Sequence, residues 1–266
     1  MSAMRTASCV VRLLTVLGAA GALSGCDVVV TSLGANSKAE EQWSRTYPVT
    51  AGGQVEILNT SGEISVTGGD GAQVEVVAER TARAATDADA KDLLKQIEIR
   101  EDVTPARVRL ETHQPSTLDG RRVEVRYHVK VPASVSVRVQ NTNGEIVANA
   151  LKGAFRAETT NGGIRGQGLS GQVEASTTNG GVRLQVDAVS PGGVRVETVN
   201  GGVDLTIPAA AQADVRAGCV NGGISLHGLA LVGGESTRRR VEGKLNGGGA
   251  LVSAETTNGG VRITGK

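Results

Sequence analysis

The chain has 266 residues, and its 28 lysines and arginines nearly balance its 27 aspartates and glutamates. This balance argues against a nucleic acid partner, because binding to phosphates requires a basic surface. The only aromatic residues are Trp43, Tyr47, Tyr127 and Phe155, which excludes a repeated stacking platform for bases or other ring ligands. The 37 glycines do not recur at every third position, so they indicate many turns and exclude a collagen helix.

The N-terminal residues 1–25 have the composition of a secretory signal peptide. Arg5 and Arg12 precede an apolar run of small residues that ends near Gly25. The run is about half as long as the roughly 20 residues that a membrane-spanning helix needs, so we predict cleavage.

The segment Leu23-Ser24-Gly25-Cys26 resembles the lipobox of bacterial lipoproteins. This resemblance implies that the Cys26 thiol receives acyl chains such as palmitate and becomes the first residue of the mature protein. Each buried methylene contributes about 0.8 kcal/mol, so several chains anchor a protein stably. Asp27 resembles an inner-membrane retention signal, and it leaves both bacterial membranes open as the location.

Residues 26–44 are predicted to be the lipidated cysteine and a flexible tether. They are followed by one repetitive β domain over residues 45–266, with a helical insert at about residues 84–96. The helix prediction rests on a possible N-cap at Thr86 or Asp87 and on the helical spacing of Leu93, Leu94 and Ile97.

A short element recurs along the second half of the chain: two polar or small residues, then Asn-Gly-Gly, then Ile or Val. From Asn143 to Asn221, successive asparagines are 18, 18, 21 and 21 residues apart. A nearly constant period is typical of a repeat architecture. The predicted turn positions are Asn143, Asn161, Asn179, Asn200, Asn221, Asn246 and Asn258, with a looser copy at Asn59-Thr60-Ser61-Gly62.

Apolar residues alternate with polar ones on both sides of each turn. Before Asn161, for example, Phe155 and Ala157 are apolar, and Ile164 follows the turn. Alternation of this kind predicts two strands, each with one buried face. The sequence therefore predicts an all-β protein built of units that each contain a strand, an Asn-Gly-Gly turn and a second strand.

Two assemblies fit this pattern. In an antiparallel β-sandwich or meander, each Asn-Gly pair closes a tight hairpin. In an elongated β-solenoid-like stack, the units lie above one another and like residues are about 4.8 Å apart. The stack is favoured, because ladders of like residues require the same side chain at the same place in each unit.

A Val-Arg-Val-Gln-Asn-Thr-Asn-Gly-Glu-Ile unit begins at Val137, after a Tyr-His-Val-Lys-Val-Pro strand that begins at Tyr127. Tandem Thr-Thr-Asn-Gly-Gly units follow, and the chain ends with Asn-Gly-Gly-Val-Arg-Ile from Asn258. From about Trp43 to Lys266, this order resembles the bacterial "putative adhesin" family of β-strand repeats. The resemblance implies a β-solenoid-like fold and a scaffold or binding surface; it implies no established activity.

Candidates for catalysis and metal binding are few. His113, His128 and His227 are far apart in sequence, and nothing places any of them beside a nucleophile. Cys219 occupies the position that threonine fills in other units, on the inward-facing side, and is interpreted as a small core residue. No second cysteine or suitably spaced histidine accompanies it, so no metal site and no cofactor are predicted.

Outward-facing charges recur beside the turns and form a possible surface ladder. We expect these glutamates and arginines to pair across the turn, Glu158 with Arg165 and Glu255 with Arg262, as solvated pairs of small energetic value. The alternative is a site that binds or cleaves glycans. The basic run Arg238-Arg239-Arg240 is interpreted as an exposed loop, with contact to an anionic headgroup or phosphate as its functional alternative. The ladder comprises Glu158, Glu197, Glu255, Arg165, Arg183 and Arg262.

These observations favour a non-enzymatic protein of the cell envelope, anchored by acylated Cys26, that acts as a scaffold or an adhesin-like protein-binding surface. Its expected partners are the membrane and an envelope protein of unknown identity. The alternative is a glycan-binding or glycan-processing β-helical protein that uses the Glu and Arg ladders.

Overall fold

The computed structural model describes residues 28–31, 37–116 and 118–266. This part of the chain contains 22 strands and one helix. In chain order they are β1 (Val28–Thr31), β2 (Ser37–Pro48), β3 (Gln54–Ser61), β4 (Ile64–Gly69), β5 (Gln73–Ala84), α1 (Asp87–Lys95), β6 (Glu98–Thr104), β7 (Arg107–His113), β8 (Arg122–Pro132), β9 (Ser136–Asn143), β10 (Ile146–Asn149), β11 (Phe155–Asn161), β12 (Ile164–Leu169), β13 (Val173–Asn179), β14 (Val182–Val186), β15 (Val194–Asn200), β16 (Val203–Ile207), β17 (Ala213–Asn221), β18 (Ile224–His227), β19 (Leu231–Val232), β20 (Arg240–Leu245), β21 (Ala250–Asn258) and β22 (Val261–Gly265).

The strands form two sheets of eleven strands each. One sheet, called sheet A, has the order β1-β2-β5-β8-β4-β10-β12-β14-β16-β22-β18. The other, sheet B, has the order β19-β20-β17-β21-β15-β13-β11-β9-β3-β7-β6. The two strands on either side of Ser61-Gly62, and of every Asn-Gly turn except Asn246-Gly247, lie in different sheets. Such a pair of strands is called a rung here.

Successive rungs stack in parallel and in register. In sheet B, Phe155 pairs with Val173 and Asn161 pairs with Asn179. Ile164 likewise pairs with Val182 in sheet A. The predicted β-solenoid-like stack is therefore confirmed. The antiparallel sandwich does not form, because the strands joined by each turn do not pair with each other.

The core lies between the two sheets and consists of the alternating apolar residues. Val196 and Leu205 are fully buried, from sheets B and A of one rung, and Phe155 is 2% exposed. The inward residues form a single hydrophobic cluster that extends through the stack. Burying a side chain of this size stabilises the fold by about 1.5 to 3 kcal/mol before the entropy cost, so stability accumulates from rung to rung.

The first strands close one end of the stack in a mainly antiparallel arrangement. The long strand β2 pairs with β5 along its whole length, from Ser37 with Ala84 to Pro48 with Gln73. The predicted flexible tether is therefore wrong from Ser37 onward. The reason is that Ala39, Trp43 and Tyr47 lie on one face of the strand and are buried, which makes this segment one edge of the core.

The predicted helix is confirmed as α1, with residue bounds Asp87–Lys95. Thr86 is its N-cap, and the Thr86 hydroxyl accepts a hydrogen bond from the backbone N–H of Asp89. Ala90, Leu93 and Leu94 are buried on the side that packs against β2 and β5.

The predicted signal peptide and the lipobox around Cys26 lie outside the described residues. Within the described part of the chain, no helix has the length and apolar character needed to cross a bilayer.

Candidate functional site: a turn ridge and two grooves

Six of the seven predicted turn asparagines lie in one column along the stack. From Asn161 onward, the side-chain amide of each asparagine donates a hydrogen bond of 2.8 to 2.9 Å to Oδ1 of the asparagine in the preceding rung. At the start of the column, Nδ2 of Asn143 donates to the backbone carbonyl of Thr60 at 3.4 Å. In spatial order the column is Asn143, Asn161, Asn179, Asn200, Asn258 and Asn221.

The seventh predicted asparagine, Asn246, is not part of this column. It lies between β20 and β21 with φ at 49°, and its side chain donates to the carbonyls of Ala209 and Ala211. Its prediction as an equivalent repeat turn is therefore corrected. The copy at Lys244-Leu245-Asn246 follows an antiparallel strand, β20, so it does not enter the parallel stack.

The first glycine after each column asparagine is required by close packing between rungs. A Cβ on Gly180 would lie 2.1 Å from the carbonyl oxygen of Gly162, and one on Gly201 would lie 1.9 Å from that of Gly180. Neither glycine has positive φ. The lack of a side chain is what the turn needs at most rungs, and the left-handed backbone expected of Asn-Gly turns occurs only at some of them, such as Gly144.

The second glycine has more room. At Gly181 the nearest contact of an added Cβ would be 3.4 Å away, and the first two rungs carry Glu63 and Glu145 at this position. These glycines line a groove on sheet A of about 640 Å³, together with Arg165, Arg183 and Arg262 and with the carboxylates of Glu145 and Asp204.

A buried column of threonines lies behind the asparagines. The hydroxyl of Thr177 donates to the carbonyl of Gly162 at 2.9 Å, and Thr198 does the same to Gly180 at 2.9 Å. Thr159 and Thr256 make equivalent bonds. The sequence indicates this column through an inward-facing position that is polar in most units. A buried hydroxyl at such a position needs a hydrogen-bond partner.

Cys219 takes the threonine position in the last rung. It is 8% exposed, and its thiol faces the carbonyl of Arg238 at 4.0 Å. The backbone of Arg238 and Arg239 accepts hydrogen bonds from the N–H groups of Ile224 and Cys219. Part of the basic run therefore covers the end of the stack through its main chain.

The outward residue just before each asparagine is exposed and uncharged. Together with the asparagine column, these residues form a surface that we call the turn ridge. Val199 and Val220 are 43% and 58% exposed. In spatial order these residues are Thr142, Thr160, Thr178, Val199, Thr257 and Val220.

A second groove, of about 730 Å³, flanks the ridge on sheet B. Thr178 and Val199 line it together with charged residues of both signs, which are Glu197, Glu242, Glu255, Arg216, Arg239 and Arg240. The ridge therefore lies between two grooves that are each lined by both arginines and carboxylates.

The predicted ion pairs across the turns do not form. Glu158 and Arg165 project from different sheets, so they lie on opposite outer faces. Arg165 instead contacts Glu145 at 2.9 Å, and Glu158 contacts Arg156, two residues earlier on its own strand, at 2.7 Å.

Of the remaining ladder charges, Arg183 and Glu197 also pair at short range on one face, whereas Glu255 accepts a hydrogen bond from Ser253 at 3.4 Å. Arg183 contacts Asp204 at 3.6 Å, and Glu197 contacts Arg195 at 2.8 Å. Glu197 and Glu255 are neighbours in register, whereas Ser176 separates Glu158 from Glu197. The three glutamates are therefore on one face, but only Glu197 and Glu255 are on adjacent strands.

Glu158 is held in its ionised form. Partial burial works to raise the pKa of Glu158, but hydrogen bonds from Arg156 and Gln140 outweigh it and hold that pKa below its usual value. A carboxylate of this kind is a poor general acid, because proton donation near neutral pH needs a raised pKa.

The three histidines lie apart from one another on the surface. His113 contacts Glu111 at 3.2 Å, His128 projects from β8 and His227 ends β18. Within the described ranges, no three histidine, cysteine, aspartate or glutamate side chains are grouped closely enough to hold a metal ion.

The family of the chain follows from a match over residues 48–264, which include every rung described above. The chain belongs to the Toastrack DUF4097 family. The Toastrack match covers the whole turn ridge. A comparison of the sequence with curated proteins gives no match.

The comparison with solved structures gives several similar chains. A "putative cell adhesion protein" from Clostridium sporogenes is 13% identical, with 85% of this chain and 100% of that chain covered and a TM-score of 0.48. A "putative adhesin" from Bacteroides fragilis is 14% identical, with 85% and 97% covered and a TM-score of 0.29. Another from Parabacteroides distasonis is 10% identical, with 84% and 96% covered and a TM-score of 0.26. At these scores the structures carry no information about what this chain binds.

Proposed function

We propose that this protein is a non-enzymatic component of the bacterial cell envelope, anchored to a membrane by acylated Cys26, that binds a protein partner through the turn ridge. It faces the extracytoplasmic side of the inner membrane or the outer membrane. The observation that supports this proposal is the continuous column of six asparagines, which are hydrogen-bonded to one another from rung to rung. An exposed, uncharged residue lies beside each asparagine of the column.

The ridge has the properties of a rigid binding surface. Each asparagine amide has two N–H groups and two acceptor lone pairs, and the column uses one of each, so further hydrogen-bonding capacity remains at each rung. The residues on either side of Thr178 and Val199 pair with both neighbouring strands, which restricts the backbone between them. Little conformational entropy is therefore lost when a partner binds.

Binding fits the ridge and its grooves better than glycan cleavage does. Cleavage normally uses one carboxylic acid with a raised pKa and a second carboxylate beside it. Glu158 has a lowered pKa and is separated from Glu197 by Ser176. The sheet B groove contains Glu197 and Glu255, so a glycan as the bound partner is an outcome that the binding experiment must distinguish.

The anchor is tested separately from the ridge. Cells that express the full chain are labelled with an alkyne-bearing palmitate analogue, and the labelled protein is detected after membrane isolation. We expect labelling of the natural chain and loss of both label and membrane association in Cys26→Ser. Labelling that persists in Cys26→Ser, or its absence from the natural chain, would contradict the anchor.

The binding surface is tested by photo-crosslinking on intact membranes. A photoreactive amino acid is placed at Thr178 or Val199 on the ridge, and at Gln167, an exposed control position on sheet A. We expect a discrete protease-sensitive adduct from the ridge positions alone. The proposal fails if the ridge gives no adduct or the same pattern as Gln167, and an adduct removed by glycosidases would identify a glycan instead.

A further inference from the structure

The last rung of the chain is not the last rung of the stack. β21 pairs with β15 on one side and with β17 on the other, both in parallel. β22 likewise lies between β16 and β18. The C-terminal rung, residues 250–265, therefore fills a slot between two rungs that precede it in the chain.

The rung completes both sheets and the core at this level. Val252, Ala254 and Ile263 are fully buried, and Val261 is 2% exposed. Asn258 joins Asn200 to Asn221 in the asparagine column through bonds of 2.8 Å on each side. Without this rung, β15, β16, β17 and β18 would each expose an unpaired strand edge.

The connection to the rung is short and strained. β20 pairs with β17 on the side opposite to β21, so residues 246–249 must cross the end of β17. Asn246 has φ at 49°, and Gly247 and Gly248 have φ at 92° and 87°. Asn246 is in a left-handed conformation that non-glycine residues seldom adopt, and strained short hinges favour exchange of the element that they tether.

Lys266 follows the rung directly. Its backbone N–H donates to the carbonyl of Ile207, its own carbonyl accepts from the N–H of Ala209, and its ammonium forms an ion pair of 2.5 Å with Asp187. During synthesis the slot stays open until residues 250–265 are made, because the strands on both sides of it precede them in the chain. A chain whose slot is still open can accept the rung of another copy.

We propose that the C-terminal rung exchanges between two copies of this chain, so that β21 and β22 of each copy fill the slot of the other in a reciprocal dimer. All contacts of the exchanged rung are those already described, because the partner slot is identical. The tether gives the rung of the same chain an effective concentration of about millimolar. Exchange between copies therefore competes best with filling of the slot by the same chain when the copies fold together at high protein concentration. The exchange does not depend on the anchor or on ligand binding at the ridge.

The test uses cysteines that meet only when the slot is filled. Glu197 and Glu255 are register partners across the slot. Copies with Glu197→Cys and copies with Glu255→Cys, each in the chain from residue 26 with Cys26→Ser and Cys219→Thr, are unfolded, mixed, refolded together and oxidised. Exchange predicts a disulfide-linked heterodimer on a non-reducing gel, in a fraction that rises with protein concentration.

Two controls make the result decisive. Glu158 and Ser176 are also register partners, but both belong to rungs on the same side of the slot, so a mixture of Glu158→Cys and Ser176→Cys copies should give no heterodimer. The double variant Glu197→Cys/Glu255→Cys, refolded at low protein concentration, should close its disulfide within one chain. The proposal is overturned if the slot mixture gives no heterodimer while the double variant closes, or if both mixtures give equal yields. If the double variant does not close, light scattering of the unsubstituted chain after concentrated refolding decides, and a monomer alone overturns the proposal.

Discussion

Nδ2 of Asn179 donates a hydrogen bond of 2.9 Å to Oδ1 of Asn161, and its own Oδ1 accepts an equal bond from Asn200. Each amide from Asn143 to Asn258 in the column therefore acts as donor on one side and acceptor on the other. The column has one direction along the whole stack.

Replacing Asn179 by Asp should destabilise the fold, because this position in the column must both donate and accept a hydrogen bond. A carboxylate cannot donate to Oδ1 of Asn161, and it places two acceptors against each other. We expect a loss of about 1 to 2 kcal/mol in the free energy of unfolding at neutral pH, measured by urea denaturation. Thr178→Ala, an exposed change in the same turn, should stay within about 0.5 kcal/mol. Equal effects from the two variants would contradict a role for the column in stability.

The two glycines of one turn should respond very differently to alanine. Gly180→Ala places a Cβ 2.1 Å from the carbonyl oxygen of Gly162, whereas at Gly181 the nearest atom is 3.4 Å away. Because the backbone of the neighbouring rung cannot move aside, we expect Gly180→Ala to lose about 3 kcal/mol or more. Gly181→Ala should lose less than about 1 kcal/mol. Thermal unfolding of both variants would measure the contrast, and similar melting temperatures would contradict the packing argument.

Cys219→Thr should stabilise the protein. Thr177 and Thr198, at the same position in other rungs, each donate to a glycine carbonyl at 2.9 Å, and Gly259 offers the equivalent carbonyl beside the last rung. One added hydrogen bond predicts a gain of about 0.5 to 1.5 kcal/mol in chemical denaturation. Cys219→Val, of similar shape without a donor, is the matched control, and an equal gain from valine would assign the effect to packing.

Titration of the Tyr127 hydroxyl should lower the stability of the fold at high pH. Burial raises the pKa of Tyr127 to about 12, and the hydrogen bond with Thr112 at 2.7 Å does not offset this. Because folding raises the pKa of Tyr127, its contribution to the free energy of unfolding is fully present below about pH 10, the pKa of an unfolded tyrosine. This contribution is lost as the pH rises to about 12. The loss from this group amounts to roughly 2 to 3 kcal/mol.

The measurement is urea denaturation at pH 9 and at pH 11.5 for the natural chain and for Tyr127→Phe. Other groups titrate in both proteins, so the contribution of Tyr127 is the difference between their pH dependences. We expect the natural chain to lose more stability than Tyr127→Phe over this interval. Parallel pH dependences would show that Tyr127 does not carry the effect.

The repeat and its alternation were sufficient to predict the stack and most of its core. The position of Phe155 and Ile164 relative to Asn161 fixed which faces are buried, because a strand has a period of two. The register followed from the requirement that like residues stack. The partners of the surface charges did not follow, because a turn that joins two sheets sends Glu158 and Arg165 to opposite faces.

The spatial order of the rungs was also not predictable from the repeat. Every rung from β9 onward offers the same Asn-Gly turn to its neighbour, so the C-terminal rung, with Asn258, fits as well inside the stack as at its end. What decides its place is the antiparallel pairing of β17 with β20, together with the covering of β18 by Arg238. These are contacts between segments that carry no repeat signal.

The first glycine of each turn packs against a carbonyl of the neighbouring rung. This repeated contact has a consequence for how such proteins change length over evolution. A whole unit of about 18 residues can be duplicated or deleted between β9 and β15 without altering either closed end, because each copy presents the same upper and lower surface. Insertions of a few residues are instead confined to the second turns, as the step from 18 to 21 residues illustrates. Relatives of this chain should therefore differ in height by whole rungs, and the reach of the protein from its point of attachment should vary in steps of about 4.8 Å.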